Sequence, residues 1–215
     1  MRDGKRAVLV ALILCIITAS YFYYGYLAYL EARSAPFGEI LVYQVTRSFG
    51  FNGRFVNYTE FLRYSFGEPR DGKLNITVTE PQQTYLVIIS LQNYSILSVK
   101  YQGTNISLNA NRGEIEDIYL PYIFNAKNTT FTIIGYSFTK VGYRSITVPA
   151  LGKVDAEVLV ARVNGPLGQS NYTLTIYFYY NREGLLVKST YIWSSSGPTG
   201  YYYRNVTSVL YKIYQ

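Results

Sequence analysis

The chain has 215 residues, with 20 Lys and Arg against 13 Asp and Glu, no His and a single Cys, for a formal charge of +7. Without His, the commonest general base and the commonest transition-metal ligand are both missing, so serine-hydrolase triads and His-based zinc sites are excluded in their usual forms. The one Cys, Cys15, sits in an apolar stretch, so no disulfide and no cysteine zinc site can form beyond it.

The first predicted element is a transmembrane helix. Met1 to Arg6 is short and basic, and Ala7 to Leu30 follows with no charged side chain. At about 1.5 Å per residue this run spans roughly 36 Å as a helix, enough to cross a hydrocarbon core of about 30 Å. Arg2, Lys5 and Arg6 on the leading side put the N-terminus in the cytoplasm and the remainder outside. Tyr21, Tyr23, Tyr24, Tyr26 and Tyr29 crowd the far end, where an amphipathic ring suits the headgroup region. The expected organisation is a basic cytoplasmic segment at 1–6, a signal anchor at 7–30 and an extracytoplasmic β domain at 31–215, with the membrane as partner through the helix.

Two other fates of this segment stay open. A cleaved secretory signal would use Ala7 to Ile17 as its apolar region and Thr18-Ala19-Ser20 as its small-residue site. Alternatively, Lys5-Arg6-Ala7-Val8-Leu9 resembles the processing site of archaeal prepilin-like proteins. That resemblance implies cutting around Arg6, Ala7 and Val8 and self-assembly into a filament. The run carries no carboxylate before Glu31, whereas many bacterial pilins have one soon after the cut.

Beyond the anchor the sequence alternates polar with β-branched and aromatic residues, and no long helical period is seen. Asn52-Gly53 between two β-rich runs is the preferred centre of a type I′ hairpin, so strands near 40–50 and 54–66 pair antiparallel. A turn over Gly67 to Gly72 leads into a strand at 74–79. Further strands are predicted at 85–91, 95–101, 106–109, 118–124, 131–138, 145–148, 154–163, 172–180 and 185–192, with Asn181 to Gly184 a hairpin turn. Gly165 to Gly168 and Ser194 to Gly200 read as loops, and Tyr201 to Tyr214 as an edge strand or one offered to a neighbour. Strands every 10 to 15 residues with polar turns indicate one antiparallel β-sandwich or a strongly curved open sheet.

Seven Asn occupy Asn-x-Ser/Thr acceptor sequences: Asn57, Asn75, Asn93, Asn105, Asn128, Asn171 and Asn205. Random placement of this composition gives about two, so the excess points to an extracytoplasmic glycoprotein. The dearth of Cys, Met, Trp and His beside abundant Tyr and Ile fits secreted proteins of hot environments and an archaeal-like source.

A second resemblance is carried by Val148-Pro149-Ala150-Leu151-Gly152 through Ala156 and by Tyr177 through Lys188, where an apolar strand meets a polar turn with Gly and resumes as Leu185-Leu186-Val187-Lys188. This pattern is similar to envelope proteins of the lipoprotein-carrier class with a LolA-like half-barrel. The resemblance implies a concave sheet face able to hold acyl chains.

Chemistry-bearing clusters are few. Glu114, Glu116 and Asp117 follow Gly113, and Asp155 and Glu157 share i, i+2 spacing, but each group reads more simply as a solvated turn or strand face than as Ca²⁺ ligands or an acid/base pair. The Tyr runs at 177–180 and 201–203 divide between core and surface. No phosphate loop, dinucleotide fingerprint or nucleophile elbow is present, no cofactor is indicated, and the scattered basic residues offer no stripe for nucleic acid. The sequence therefore favours a non-enzymatic, membrane-anchored envelope glycoprotein, a structural or accessory subunit of a surface or membrane complex. A filament subunit processed near Ala7 and a lipid- or apolar-ligand-binding envelope module are the alternatives.

Overall fold

The computed structural model describes residues 39–90, 96–106, 130–133 and 136–214. The expected anchor at 7–30, the strand at 118–124 and most of that at 106–109 lie outside these residues. Twelve strands are described: β1 (Ile40–Phe51), β2 (Arg54–Phe66), β3 (Lys73–Thr79), β4 (Thr84–Ser90), β5 (Ile96–Tyr101), β6 (Thr104–Ile106), β7 (Thr130–Ile133), β8 (Tyr136–Val148), β9 (Gly152–Leu167), β10 (Ser170–Tyr180), β11 (Leu186–Gly197) and β12 (Gly200–Tyr214).

All twelve belong to one sheet in the order β6-β5-β4-β3-β2-β1-β12-β11-β10-β9-β8-β7, and every described pairing is antiparallel. Of the two expected architectures the open sheet is the one observed. The strands form because apolar residues recur at every second position, which puts them all on one side of a pleated ribbon. In β10, for example, Leu174, Ile176, Phe178 and Tyr180 are buried while Thr173, Thr175, Tyr177 and Tyr179 face the other way.

The turns follow their local chemistry. Asn52 (φ 46°) and Gly53 (φ 82°) both adopt left-handed backbone, as a type I′ hairpin requires, and β1 pairs with β2 from Phe51↔Arg54 through to Ile40↔Ser65. Asn181 closes the β10–β11 turn, its Oδ1 accepting from the backbone of Glu183 at 3.0 Å and Leu185 at 2.8 Å.

Four sequence expectations change. The predicted strand at 131–138 is two strands, β7 and β8, which pair with each other. The predicted strand at 145–148 is only the end of the 13-residue β8. The loops expected at 165–168 and 194–200 are largely strand: β9 continues through Pro166, tolerated because β8 pairs with β9 no further than Val160, and β11 carries Ser194 to Gly197 opposite Tyr203 to Gly200. Finally, Tyr201 to Tyr214 is no edge. It forms the bulk of β12, which pairs with β1 on one side and β11 on the other, so the first and last described strands meet in the middle of the sheet.

The sheet curls toward its apolar side. Three strands separate β8 from β12, so a flat sheet would hold them roughly 19 Å apart at about 4.8 Å per strand. Instead, Ala150 in the β8–β9 turn donates its N–H to the Leu210 carbonyl of β12 at 3.4 Å. That carbonyl lies where a bulge at Tyr211 shifts the β1–β12 register. Nearby, the Tyr43 hydroxyl donates to the Leu186 carbonyl at 2.6 Å, at the start of β11. The apolar side chains thus collect inside the curve, with Leu41, Tyr43, Leu62, Tyr64, Ile176, Phe178, Leu186 and Leu210 at most 1% exposed.

Candidate functional site

Register places the inward side chains in rows that cross several strands. One row runs Leu159, Phe178, Ser189, Ser208, Val45, Glu60 from β9 to β2, and the next runs Ala161, Ile176, Tyr191, Val206, Arg47, Tyr58. Toward the β1–β2 and β11–β12 turns come Val163, Leu174, Trp193, Arg204, Phe49, Val56 and then Gly165, Tyr172, Ser195, Tyr202, Phe51, Arg54. Burial falls along this direction. Val45 is fully buried, Phe49 is 37% exposed and Val56 67% exposed, although all three face inward.

Where the rows open, a cleft of about 630 Å³ forms, walled by Phe49, Phe51, Val56, Trp193 and Tyr202, with Arg54 and Arg204 also at its lining. Its rings support one another. Phe51 packs on Tyr202 with centroids 4.6 Å apart, Phe49 stacks on Tyr58 at 5.9 Å, and the Arg204 guanidinium lies 5.5 Å from the Phe49 ring centre. Deeper in, Arg47 and Glu60 form an ion pair at 2.5 Å, with side chains 7% and 19% exposed, so this inward carboxylate is already matched. The cleft is lined in the manner of an apolar-ligand site, mostly carbon with a few polar groups at its rim.

The lip is held by a contact across the two turns. The Asn52 N–H donates to the Tyr201 carbonyl at 3.0 Å, and the Asn52 Oδ1 accepts from the Tyr201 N–H at 2.9 Å. This bond brings Phe51 of one hairpin and Tyr202 of the other to the same opening.

The sequence-predicted site residues lie elsewhere. Asn57, Asn75, Asn105, Asn171 and Asn205 all stand on the side opposite the apolar rows, as their register neighbours show. Asn57, Asn75, Asn105 and Asn171 are exposed, whereas Asn205 is half-buried with its Oδ1 accepting from the Thr207 hydroxyl at 3.4 Å. Ser48 lies between Asn57 and Asn205, so these two flank one position of β1. Asn93, Asn128, the acidic run Glu114 to Asp117 and the processing residues Arg6, Ala7 and Val8 lie outside the described residues. Asp155 pairs with Arg182 at 3.5 Å and Glu157 with Lys140 at 2.9 Å, so the two carboxylates of β9 are engaged with separate cations rather than with each other.

Sequence reasoning did not find the cleft. Phe49, Phe51 and Val56 were legible only as hairpin residues. Trp193 falls one position beyond the predicted strand, and Tyr202 belongs to a Tyr run that reads as packing. The usable signal was the single Trp of the chain, two residues from Tyr191 on the same face.

Neither a protein-family model nor a curated protein matches the sequence. Among solved structures, the chain is similar to a Bacteroides fragilis protein described as exported, with a YmcC-like fold (11% identity over 83% of this chain and 96% of that one, TM-score 0.38). It is also similar to a protein described as a lipoprotein from Parabacteroides distasonis (13%, 83% and 95%, TM-score 0.37). A third is described as an outer membrane lipoprotein-sorting protein domain from Vibrio parahaemolyticus (12%, 87% and 89%, TM-score 0.30). At TM-scores this low the likenesses lend no weight to a functional reading, which rests on the cleft alone.

Proposed function

We propose that this chain is a non-enzymatic binding module for a lipid-like apolar ligand, held in the cleft at the open end of the apolar sheet face. The observation that carries the reading is the cleft itself, a volume of about 630 Å³ whose walls include four aromatic rings that remain partly exposed at the end of an otherwise buried surface. Leaving such area in water is unfavourable by about 25 cal/mol per Å², so an apolar occupant gains what the fold alone does not recover. This reading ranks the binding module above a purely structural or filament subunit, since neither of those uses a concave cleft. On the strength of the basic and apolar N-terminal sequence, the module works outside the cytoplasm beside the membrane, with the outward Asn residues as its glycan acceptors.

Trp193 is the only Trp in the chain and lines the cleft, so its fluorescence reports on this site. Titrating the full chain in amphipol with 11-bromoundecan-1-ol, whose bromine quenches on contact, is expected to give saturable quenching of Trp193. Quenching that rises linearly without saturation would show mere partitioning and sink the reading.

A further inference from the structure

We infer that the end of the sheet formed by the β1–β2 and β11–β12 hairpins docks on an anionic lipid bilayer, with its outermost aromatic rings in the membrane interface. The inference deepens the binding-module reading and rests on it in one respect: the mouth of the cleft then opens onto the lipid that supplies its ligand. The observation that carries it lies on the other side of the sheet. Phe55 is 58% and Tyr201 46% exposed, and register puts both on the convex side, where no occupant of the cleft covers them. The Phe55 ring lies against Gly50, where a Cβ would come within 2.6 Å of it, and meets Tyr203 edge-on with centroids 6.0 Å apart. Phe51, Val56 and Tyr202 are exposed on the concave side of the same end. An antiparallel sheet with one face on a core ordinarily keeps the other face polar. Here both faces are apolar, but only at this end.

Covering both sides at once takes a medium that closes around the end of the sheet, as a bilayer interface does and a rigid partner surface does not. The composition agrees, since Phe, Tyr and Trp are the side chains that favour the headgroup level. The charge agrees as well. Ser48 to Thr59 and Trp193 to Val206 contain no Asp or Glu, and the adjoining β9–β10 hairpin has no charged residue from Val163 to Tyr180. Arg54 is exposed in the β1–β2 hairpin and makes no ion pair among the described residues, so a lipid phosphate there displaces no internal partner. The turns at the opposite end are mixed in charge, with Glu68, Arg70 and Asp71 between β2 and β3 and Arg182 and Glu183 between β10 and β11. The next convex row, Asn57, Ser48 and Asn205, is polar, which confines insertion to the outermost rings.

The test uses the full chain reconstituted into phosphatidylcholine vesicles, with and without phosphatidylglycerol, that contain 6,7-dibromo phosphatidylcholine as quencher. In a Trp193→Phe background, Phe55→Trp places the one fluorophore on the convex side, out of reach of a ligand in the cleft, and Arg182→Trp places it at the opposite end. With phosphatidylglycerol present, Phe55→Trp is expected to lose about half its emission to the bromolipid and Arg182→Trp less than about one-tenth. Tyr201→Trp, on the same side, supplies a second reporter should Phe55→Trp fold poorly. Emission from both convex-side reporters that ignores the bromolipid overturns the inference. So does quenching at position 182 as strong as at 55, which would mean that the whole domain, not this end, lies on the membrane. Quenching no stronger with phosphatidylglycerol than without it overturns the choice of an anionic surface. A blue shift at position 55 that grows with protein concentration and resists the bromolipid assigns this end to a second copy of the chain and overturns the bilayer. Trp193 of the parent chain, titrated with the bromoalcohol in amphipol, still reports on the cleft alone, so the binding module and the docking end fail separately.

Discussion

Tyr180 ends β10 only 3% exposed, and burial pushes its phenol well above the ordinary value of 10.0. The cause is desolvation, which disfavours the phenolate inside the fold. Between the ordinary value and the raised one, the unfolded chain loses this proton while the folded chain keeps it. Stability from Tyr180 is therefore fully present below pH 10 and is lost as pH rises above it, at about 1.4 kcal/mol per pH unit for one proton. Urea unfolding at pH 9 and pH 11 should show Tyr180→Phe losing about 1 kcal/mol less than the parent over that interval. Identical losses in the two proteins would mean that this phenol does not differ between the folded and unfolded states. At the same scale Glu60 illustrates how much the environment decides: its sequence neighbours give no hint of a partner, and only strand pairing brings Arg47 to it.

At the scale of elements, the β1–β2 and β11–β12 hairpins act together because Asn52 bonds the backbone of Tyr201. Gly200 makes this approach feasible. Its φ is +129°, and a Cβ placed there would lie 2.5 Å from the Asn52 Oδ1. Gly200→Ala thus combines backbone strain with a steric clash, expected to cost about 1–3 kcal/mol and to push Tyr202 away from the cleft. Thermal unfolding checks the first effect, and weaker quenching of Trp193 by the bromoalcohol checks the second. Asn52→Gly keeps the left-handed turn but removes the obstructing side chain, so Gly200→Ala should be milder in that background. Additive losses would show that the two residues do not meet as described. The hairpin at Asn52-Gly53 was legible in the sequence because its left-handed turn has a local chemical signature. The bond from that turn to Tyr201 was not, since it joins residues 149 positions apart.

For the whole molecule, the order of the described strands puts β1 and β12 at the centre and β6 and β7 at the ends. Central strands have ladder partners on both sides and open only when most of the sheet does, whereas a short edge strand can fray alone. Native-state hydrogen exchange should therefore find the slowest amides in β1, β11 and β12 and much faster exchange in the three-residue β6. Edge amides as slow as those of β1 would contradict an open sheet and indicate that its borders are covered. The same order explains the one architectural reversal, since Tyr201 to Tyr214 carries the aromatic, alternating pattern of any strand and nothing in it records which neighbours it acquires. Propensity and alternation are properties of a few consecutive residues, but edge or centre is a property of the closed set of pairings.

What the sequence by itself determined is therefore local. The period of two in β1, β3, β4 and β10 set which residues face inward, Asn52-Gly53 and Asn181 to Gly184 set two turns, and the lack of His and the isolated Cys removed whole classes of chemistry. Only the tertiary structure decided that β12 lies between β1 and β11, that the sheet curls until Ala150 reaches Leu210, and that Trp193, Phe49 and the two arginines share one opening. The physical reason is that strand faces are written in side chains two positions apart, whereas a cleft depends on register and curvature. Both of these are fixed by backbone hydrogen bonds between segments that can lie more than a hundred residues apart, and backbone donors and acceptors are the same at every position of the chain.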